Sequence, residues 1–125
     1  MKLRLAPIAT VLASCVALPP SSSIDGPPSE LAGRAAGAPQ QCVLIQQLDA
    51  LRVSDNNRHT LLYGSGKTIW ANSLASECTF GSNDLLVTEP IGSHYCRGDI
   101  VRSFDRLSRI PGPSCVLGNF VPYTR

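Results

Sequence analysis

Four cysteines spread along the second two-thirds of the chain constrain its fold more than any other feature. They are Cys42, Cys78, Cys96 and Cys115. The segment 42–125 is smaller than the ~100–150 residues of a typical domain, so its hydrophobic core is marginal. Two disulfides offset this by restricting the unfolded chain, at about 2–4 kcal/mol each. No two of the four have the close C-x2-4-C spacing of zinc ligands, and we expect no cofactor.

The pairing of these thiols is not fixed by sequence, because four cysteines allow three connectivities. We predict Cys42–Cys115, which joins the two ends of the domain, and Cys78–Cys96, which closes a shorter loop. Structural disulfides persist in oxidising compartments, so the pattern indicates an exported protein.

A fifth cysteine, Cys15, leaves an odd number, which is awkward for an exported protein. It follows two cations and an apolar run from Leu5 to Ala13, which is far shorter than the ~20 residues of a membrane-spanning helix. The sequence Leu-Ala-Ser-Cys at 12–15 resembles the bacterial lipobox. The resemblance implies a signal peptide over residues 1–14, cleaved before Cys15, whose thiol carries a lipid anchor to a bacterial membrane.

Val16, rather than Asp, after this cysteine favours an outer-membrane lipoprotein of the cell envelope that faces the periplasm. The alternative is an ordinary signal peptide, cut after Ala36 or Ala38, and a periplasmic or secreted protein. Residues 15–41 hold five prolines with several Ser, Gly and Ala, and predict an extended, disordered tether. A brief helical turn around "SELAGRAAG" would be marginal on its own.

From residue 42 to residue 125, short apolar runs alternate with turn residues. The spacing of about 8–12 residues predicts a mainly β domain, as a small antiparallel sheet, a sandwich or a barrel. The predicted strands are 48–53, 59–64, 67–72, 84–89, 99–104 and 115–121.

The stretch "LLYGSGKT" at 61–68 resembles the end of a Walker A phosphate loop. Such a loop requires a first glycine where this chain has Leu61, and a helix after the lysine, whereas Thr68-Ile69-Trp70 favours a strand. We therefore predict a β-hairpin in which Gly64 and Gly66 supply positive φ angles, and no nucleotide binding.

The charge pattern does not indicate nucleic-acid binding. The formal net charge of +2 equals the charge of Lys2 and Arg4 in the signal peptide. The nearest approach to a basic cluster interleaves cations with acids, which is typical of a solvated face. Its members are Arg97, Asp99, Arg102, Asp105, Arg106 and Arg109.

Chemistry-bearing side chains are few. His94 and Cys96 share one face of a strand and, with His59, form the best candidate metal site, which a disulfide at Cys96 would exclude. "CRGD" at 96–99 holds the integrin tripeptide, but we expect Gly98 to form a turn and Asp99 to accept backbone hydrogen bonds. Two carboxylate pairs, Glu77 with Asp84 and Glu89 with Asp99, have nothing to bring them together, so we predict no catalytic residues and no enzyme.

Four segments together resemble a family of small exported proteobacterial proteins called domain of unknown function 6491. They are "LDALRVSDNNRHTLL", which follows the opening Cys42, then "NSLASEC", "YCRGDIV" and "SCVLGNF", and the similar region from Cys42 to Pro122 includes all four body cysteines. The resemblance implies an exported, mainly β, cysteine-stapled domain, often with a lipoprotein signal. It implies no activity.

These observations predict an envelope lipoprotein with a non-catalytic domain that binds a protein partner or acts as an accessory. The alternative is a small ligand or metal bound in the mouth of a β-barrel. An apolar cavity lined by Trp70 and the tyrosines would favour the ligand, and a filled core with an exposed patch would favour the protein.

Overall fold

The computed structural model describes residue 15 and residues 26–125 of the chain, and the predicted signal peptide at 1–14 lies outside them. The described chain is mainly β, as predicted. One 3-10 turn covers Ser29–Leu31, and ten strands follow. They are β1 (Ala35–Ala36), β2 (Cys42–Leu44), β3 (Arg52–Val53), β4 (Thr60–Tyr63), β5 (Thr68–Ser73), β6 (Leu85–Thr88), β7 (His94–Cys96), β8 (Ile100–Phe104), β9 (Pro111–Val116) and β10 (Phe120–Thr124). Within residues 26–125 no helix has the length and apolar character needed to cross a membrane.

The strands form three antiparallel sheets, and none of the three closes into a barrel. The largest has five strands in the order β1-β10-β5-β4-β3. A three-stranded sheet has the order β6-β8-β9, and β2 pairs with β7 as a two-stranded ribbon. Of the three predicted architectures, the barrel is therefore absent from the described part of the chain.

Strand β4 is buried on both faces, which explains its continuous apolar run. Leu61 and Tyr63 point into the main core, which β8 and β9 also line and which contains Phe80 and Phe120. Leu62 points to the opposite face and packs in a second, smaller core. Successive side chains of a strand alternate between faces, so each residue of β4 serves one of the two cores.

The second core is covered by the segment 26–36, which we call the strap. Leu31 is buried against Leu62 and Ile69, while Ala35 and Ala36 pair with the last strand as β1. The prediction of an extended tether through residue 41 is wrong for this part, because these residues belong to the folded domain. The expected brief turn exists at Ser29–Leu31, stabilised by tertiary packing rather than by its own helical tendency.

The loop at 54–57 holds the strap through side chains. Glu30 accepts hydrogen bonds from the Ser54 hydroxyl at 2.8 Å and from the Asp55 backbone N–H at 2.7 Å. The Asn56 amide donates to the Pro27 carbonyl at 2.6 Å, and the Asn57 amide donates to the Gly26 carbonyl at 2.8 Å. The polar run at 54–57, which reads as a simple turn in the sequence, therefore binds the chain that precedes the sheet.

The predicted hairpin is confirmed. Strands β4 and β5 pair antiparallel with Tyr63 opposite Trp70, and the connecting loop contains Gly64 at φ 87° and Gly66 at φ 78°. Gly98 also has a positive φ, of 93°, as its predicted turn requires. In contrast, the predicted strand 115–121 is divided into β9 and β10, which belong to different sheets and are separated by residues 117–119.

Two disulfides are present, as predicted, but the predicted connectivity is wrong. Cys42 pairs with Cys96, with their Cα atoms 4.1 Å apart, because the two residues are directly opposite on β2 and β7. Cys78 pairs with Cys115, with Cα atoms 5.8 Å apart, and joins the β5–β6 loop to β9. The strand register selected this pairing. Loop length could not select it, because the entropy of closing a loop changes only slowly with the length of the loop.

Candidate functional site

The outer face of the three-stranded sheet is an exposed apolar surface, which we call the sheet face. It consists of Leu85 and Val87 on β6, Ile100 and Arg102 on β8, and Val116 on β9. The exposed fractions of its aliphatic side chains lie between 38% for Val87 and 55% for Ile100. The opposite face of the same sheet packs on the main core through Leu86 and Val101. Alternation along the strands therefore places one set of aliphatic side chains in the core and a second set in solvent.

Arg102 lies at the centre of the sheet face. It is directly opposite Val87 on one neighbouring strand and Ser114 on the other. Within residues 26–125, no hydrogen bond or ion pair occupies its guanidinium group. An unpaired guanidinium among aliphatic side chains is suited to a carboxylate supplied by another molecule, because Arg–carboxylate pairs form two parallel hydrogen bonds.

The two edges of this sheet differ. On β9, Pro111 and Pro113 lack N–H donors, and Ala75 bridges to Val116, so the edge cannot accept a further strand along its length. On β6, the residues from Leu85 to Thr88 pair with β8 on one side, and no described residue hydrogen-bonds their backbone on the other. An unpaired edge is a template for an added strand.

The rim of the sheet face carries further exposed aliphatic side chains. Ile91 is 95% exposed in the β6–β7 loop, and Leu107 is 95% exposed in the β8–β9 turn. That turn is ordered by Asp105, whose carboxylate accepts from the backbone N–H groups of Leu107 at 2.9 Å and Ser108 at 2.8 Å. The hydrogen bonds from Ser108 and then Leu107 lower the pKa of Asp105.

A second concave region lies between the β2–β7 ribbon and the β4–β5 hairpin, and we call it the ribbon cleft. Its volume is about 510 Å³. The polar side chains that line it are Gln40, Gln46, Asp49, Ser65, Lys67, Thr68 and His94, and the aromatic ones are Tyr63 and Trp70. The mixture of polar and aromatic groups distinguishes this cleft from the sheet face.

Tyr63 forms the floor of the ribbon cleft, and its hydroxyl and ring both contact other residues of the protein. Its hydroxyl accepts from the Gln46 backbone N–H at 2.6 Å and donates to the Leu44 carbonyl at 3.1 Å. Its ring packs edge-on to Tyr95, with centroids 5.4 Å apart. Burial raises the pKa of Tyr63 and outweighs the lowering by the hydrogen bond from the Gln46 N–H, while Asp49 and Tyr95 add smaller upward contributions. The Tyr63 hydroxyl therefore stabilises the chain next to the β2–β7 ribbon and is not available to bind a ligand.

The three residues considered as metal ligands do not come together in one site. Cys96 is in a disulfide, and His59 contacts the Cys78 carbonyl through Nδ1 at 3.1 Å. His94 is exposed and contacts the Ser93 hydroxyl at 3.2 Å. The described residues include no group of three or more metal-ligating side chains.

The predicted carboxylates mostly order turns. Asp84 accepts from the Gly81 backbone N–H at 2.7 Å, and Asp99 accepts from the Cys96 backbone N–H at 2.8 Å, as expected for the turn at Gly98. Glu89 and Asp99 line one shallow cleft of about 240 Å³ beside Arg102. Cys15, the predicted lipidation residue, is a free and exposed cysteine.

Sequence reasoning did not find the sheet face or the polar residues of the ribbon cleft. The alternation in β6 is hidden in the sequence, because the inward Leu86 is as apolar as its outward neighbours Leu85 and Val87. Comparisons with protein-family models, with curated proteins and with solved structures found no match to this chain.

Proposed function

We propose that this protein is a cell-envelope lipoprotein whose β domain is a non-catalytic module that binds another protein. The observation that carries the proposal is the sheet face, with its aliphatic side chains in solvent and an open β6 edge beside them. Contiguous exposed apolar surfaces on small proteins mark interaction sites. The core of the domain is filled by Phe80, Leu117 and Phe120, all essentially inaccessible, which is the arrangement expected of a protein-binding module.

The partner that fits this surface is an extended segment of another envelope protein. Such a segment would add to the sheet along β6, where its main chain supplies hydrogen bonds and alternate side chains meet the sheet face. Apolar side chains would cover Val87 and Ile100, and a carboxylate would pair with Arg102. Proline on the β9 edge directs the added strand to β6 alone.

The envelope location rests on the cysteines. Two disulfides in a small domain are typical of oxidising compartments. Cys15 precedes the folded part of the chain and is exposed, so a lipid on its thiol would leave the domain unchanged. The resemblance to domain of unknown function 6491 suits the same location and stays a prediction.

The sheet face is tested by site-specific photo-crosslinking in envelope membranes with the intact, acylated protein. A crosslinker at Val87 should trap a protein adduct that Arg102→Glu reduces by tenfold or more, because the substitution reverses the charge at the centre of the face. A crosslinker at Leu48 is the matched control, since Leu48 is 99% exposed and lies outside the face. Equal adducts from both positions, or none from Val87, would contradict the proposal.

The lipid anchor is tested separately by growing bacterial cells that express the protein with radioactive palmitate. Incorporation of label that disappears in Cys15→Ser is the expected result. Labelling that persists in this variant, or a mature N-terminus after Ala36 or Ala38, would contradict a lipid on Cys15. The second result would also remove the strap, which the folded domain contains.

A ligand in a barrel mouth is not favoured, because the sheets of the described chain do not close into a barrel. The ribbon cleft is a different kind of site and is open to a different test.

A further inference from the structure

The ribbon cleft concentrates polar side chains that the fold does not use. Gln40, Gln46, Asp49 and Lys67 all line the cleft, and no described residue hydrogen-bonds or ion-pairs with their side chains. Unused donors and acceptors that converge on one concavity are the feature that fixes the orientation of a small ligand.

Trp70 adds an aromatic surface to the same cleft. Its side chain is half-buried, with one part packed against the main core and the remainder on the cleft. No described residue accepts a hydrogen bond from its indole Nε1–H, although Trp donors usually find a partner when buried. A ligand on this surface would meet an apolar ring plane and an unused donor together.

We propose that the ribbon cleft binds a small saccharide of one or two rings. A pyranose has apolar C–H faces suited to an indole ring and hydroxyl groups that both donate and accept. Side-chain amides, a carboxylate and an ammonium group supply the complementary acceptors and donors. The volume of about 510 Å³ lies within the range of ~300–1,000 Å³ that small-molecule sites occupy.

The cleft is also held in shape before any ligand binds. The disulfide between Cys42 and Cys96 fixes the two strands of the ribbon, and the Tyr63 hydroxyl fixes the chain from Leu44 to Gln46. The opposite wall is the β4–β5 hairpin, whose Gly64 carbonyl accepts from Arg52 at 2.8 Å. Preformed walls reduce the entropy lost when a ligand is ordered.

The chain contains a single tryptophan, so fluorescence reports on this cleft directly. The mature protein, with both disulfides formed, is titrated with chitobiose and with maltose while Trp70 emission is recorded. We expect a saturable change with at least one disaccharide. Gln46→Ala should weaken binding about fivefold, the equivalent of one hydrogen bond, and Asp49→Asn tenfold or more, since hydrogen bonds to charged groups are stronger.

Gln47→Ala is the matched control, because Gln47 is exposed, adjacent to Gln46 and outside the cleft. Circular dichroism of each variant checks that the fold is intact. No saturable change with either disaccharide overturns the proposal, and so does an equal loss of affinity in Gln46→Ala and Gln47→Ala. Both results are independent of the sheet face, which contains none of these residues.

Discussion

The side-chain amide of Asn72 exchanges two hydrogen bonds with the backbone of Gly118. The Asn72 Nδ2 donates to the Gly118 carbonyl and the Gly118 N–H donates to Asn72 Oδ1, both at 2.8 Å. Asn72 is completely buried, and a Cβ at position 118 would overlap the Ser73 carbonyl. The pair therefore fixes the connection between β9 and β10 from within the core.

Asn72→Asp should destabilise the domain strongly at neutral pH. The carboxylate loses the donor to the Gly118 carbonyl and places a charge in the core, with an expected cost of about 3 kcal/mol or more. The loss should shrink in acid, because a protonated carboxyl regains a donor. Urea unfolding at neutral and acidic pH measures this, with the exposed Asn119→Asp as control. Equal stability of the two variants would show that the paired bonds contribute nothing.

Peptide mapping without reduction should recover Cys42 linked to Cys96 and Cys78 linked to Cys115. A peptide joining Cys42 to Cys115 would contradict the fold described above. Replacing either pair by serine should cost about 4 kcal/mol, given loops closed over 54 and 37 residues. Thermal unfolding of the two double variants, each beside the parent protein, measures the loss.

Glu30→Gln should loosen the strap at neutral pH. Burial raises the pKa of Glu30, but hydrogen bonds from the backbone at Asp55 and Glu30 and from Ser54, with the charge of Arg52, lower it overall. Because the pKa of Glu30 is lower in the folded state, its ionised carboxylate stabilises the folded state at pH above the unfolded-state pKa of ~4.3. This stabilisation disappears as the pH falls through the folded-state pKa.

Because Glu30 is partly exposed, we expect Glu30→Gln to lose only about 1 kcal/mol near neutral pH and almost nothing below about pH 3. Hydrogen exchange at Leu31 and Arg34, whose N–H groups donate to the Pro28 and Leu31 carbonyls, reports on the strap directly. Glu77→Gln, at an exposed position, is the control. A loss that is the same at both pH values would exclude the ionised carboxylate as the cause.

Tyr63→Phe should cost about 1–3 kcal/mol, because it leaves the Gln46 N–H and the Leu44 carbonyl without their partner. The raised pKa of Tyr63 means that the folded state favours the neutral phenol. The neutral hydroxyl therefore stabilises the folded state fully at pH below ~10, the ordinary pKa of tyrosine. This stabilisation is lost as the pH rises through the folded-state pKa of Tyr63.

Unfolding measured from about pH 8 to about pH 11 should therefore show a smaller alkaline loss in Tyr63→Phe than in the parent protein. Tyr123→Phe is the control, since no hydrogen bond to the Tyr123 hydroxyl exists in the described chain. The same alkaline profile in parent and Tyr63→Phe would contradict the role given to this hydroxyl.

Local sequence signals predicted the two hairpin strands and strands β6 and β8 of the three-stranded sheet. The runs at 59–64, 67–72, 84–89 and 99–104 match β4, β5, β6 and β8 to within one residue or so, because glycines and polar turns bound them. The ribbon strands β2 and β7 were not predicted, since three residues carry no periodicity. Two prolines concealed β9, which tolerates them as an edge strand.

The features that required tertiary structure were not predictable. The connectivity of the disulfides depends on the register of β2 with β7, which no local pattern encodes. The polar run at 54–57 predicted a turn, but nothing in the sequence indicated that this turn binds the strap. The ribbon cleft brings together Gln46, Lys67 and His94 from three separate segments, so its composition appears only once the sheets are assembled.

The strap has a mechanical consequence for any anchor upstream of it. A pull from the N-terminal side would act first on the amide contacts of Asn57 and Asn56 with Gly26 and Pro27, and next on the Glu30 carboxylate. Leu31 and the β1 pairing would yield only afterwards. Tension would thus be released stepwise across one face of the larger sheet, from the β3–β4 loop to β10, before it reached either disulfide, and the sheet face would keep its shape under load.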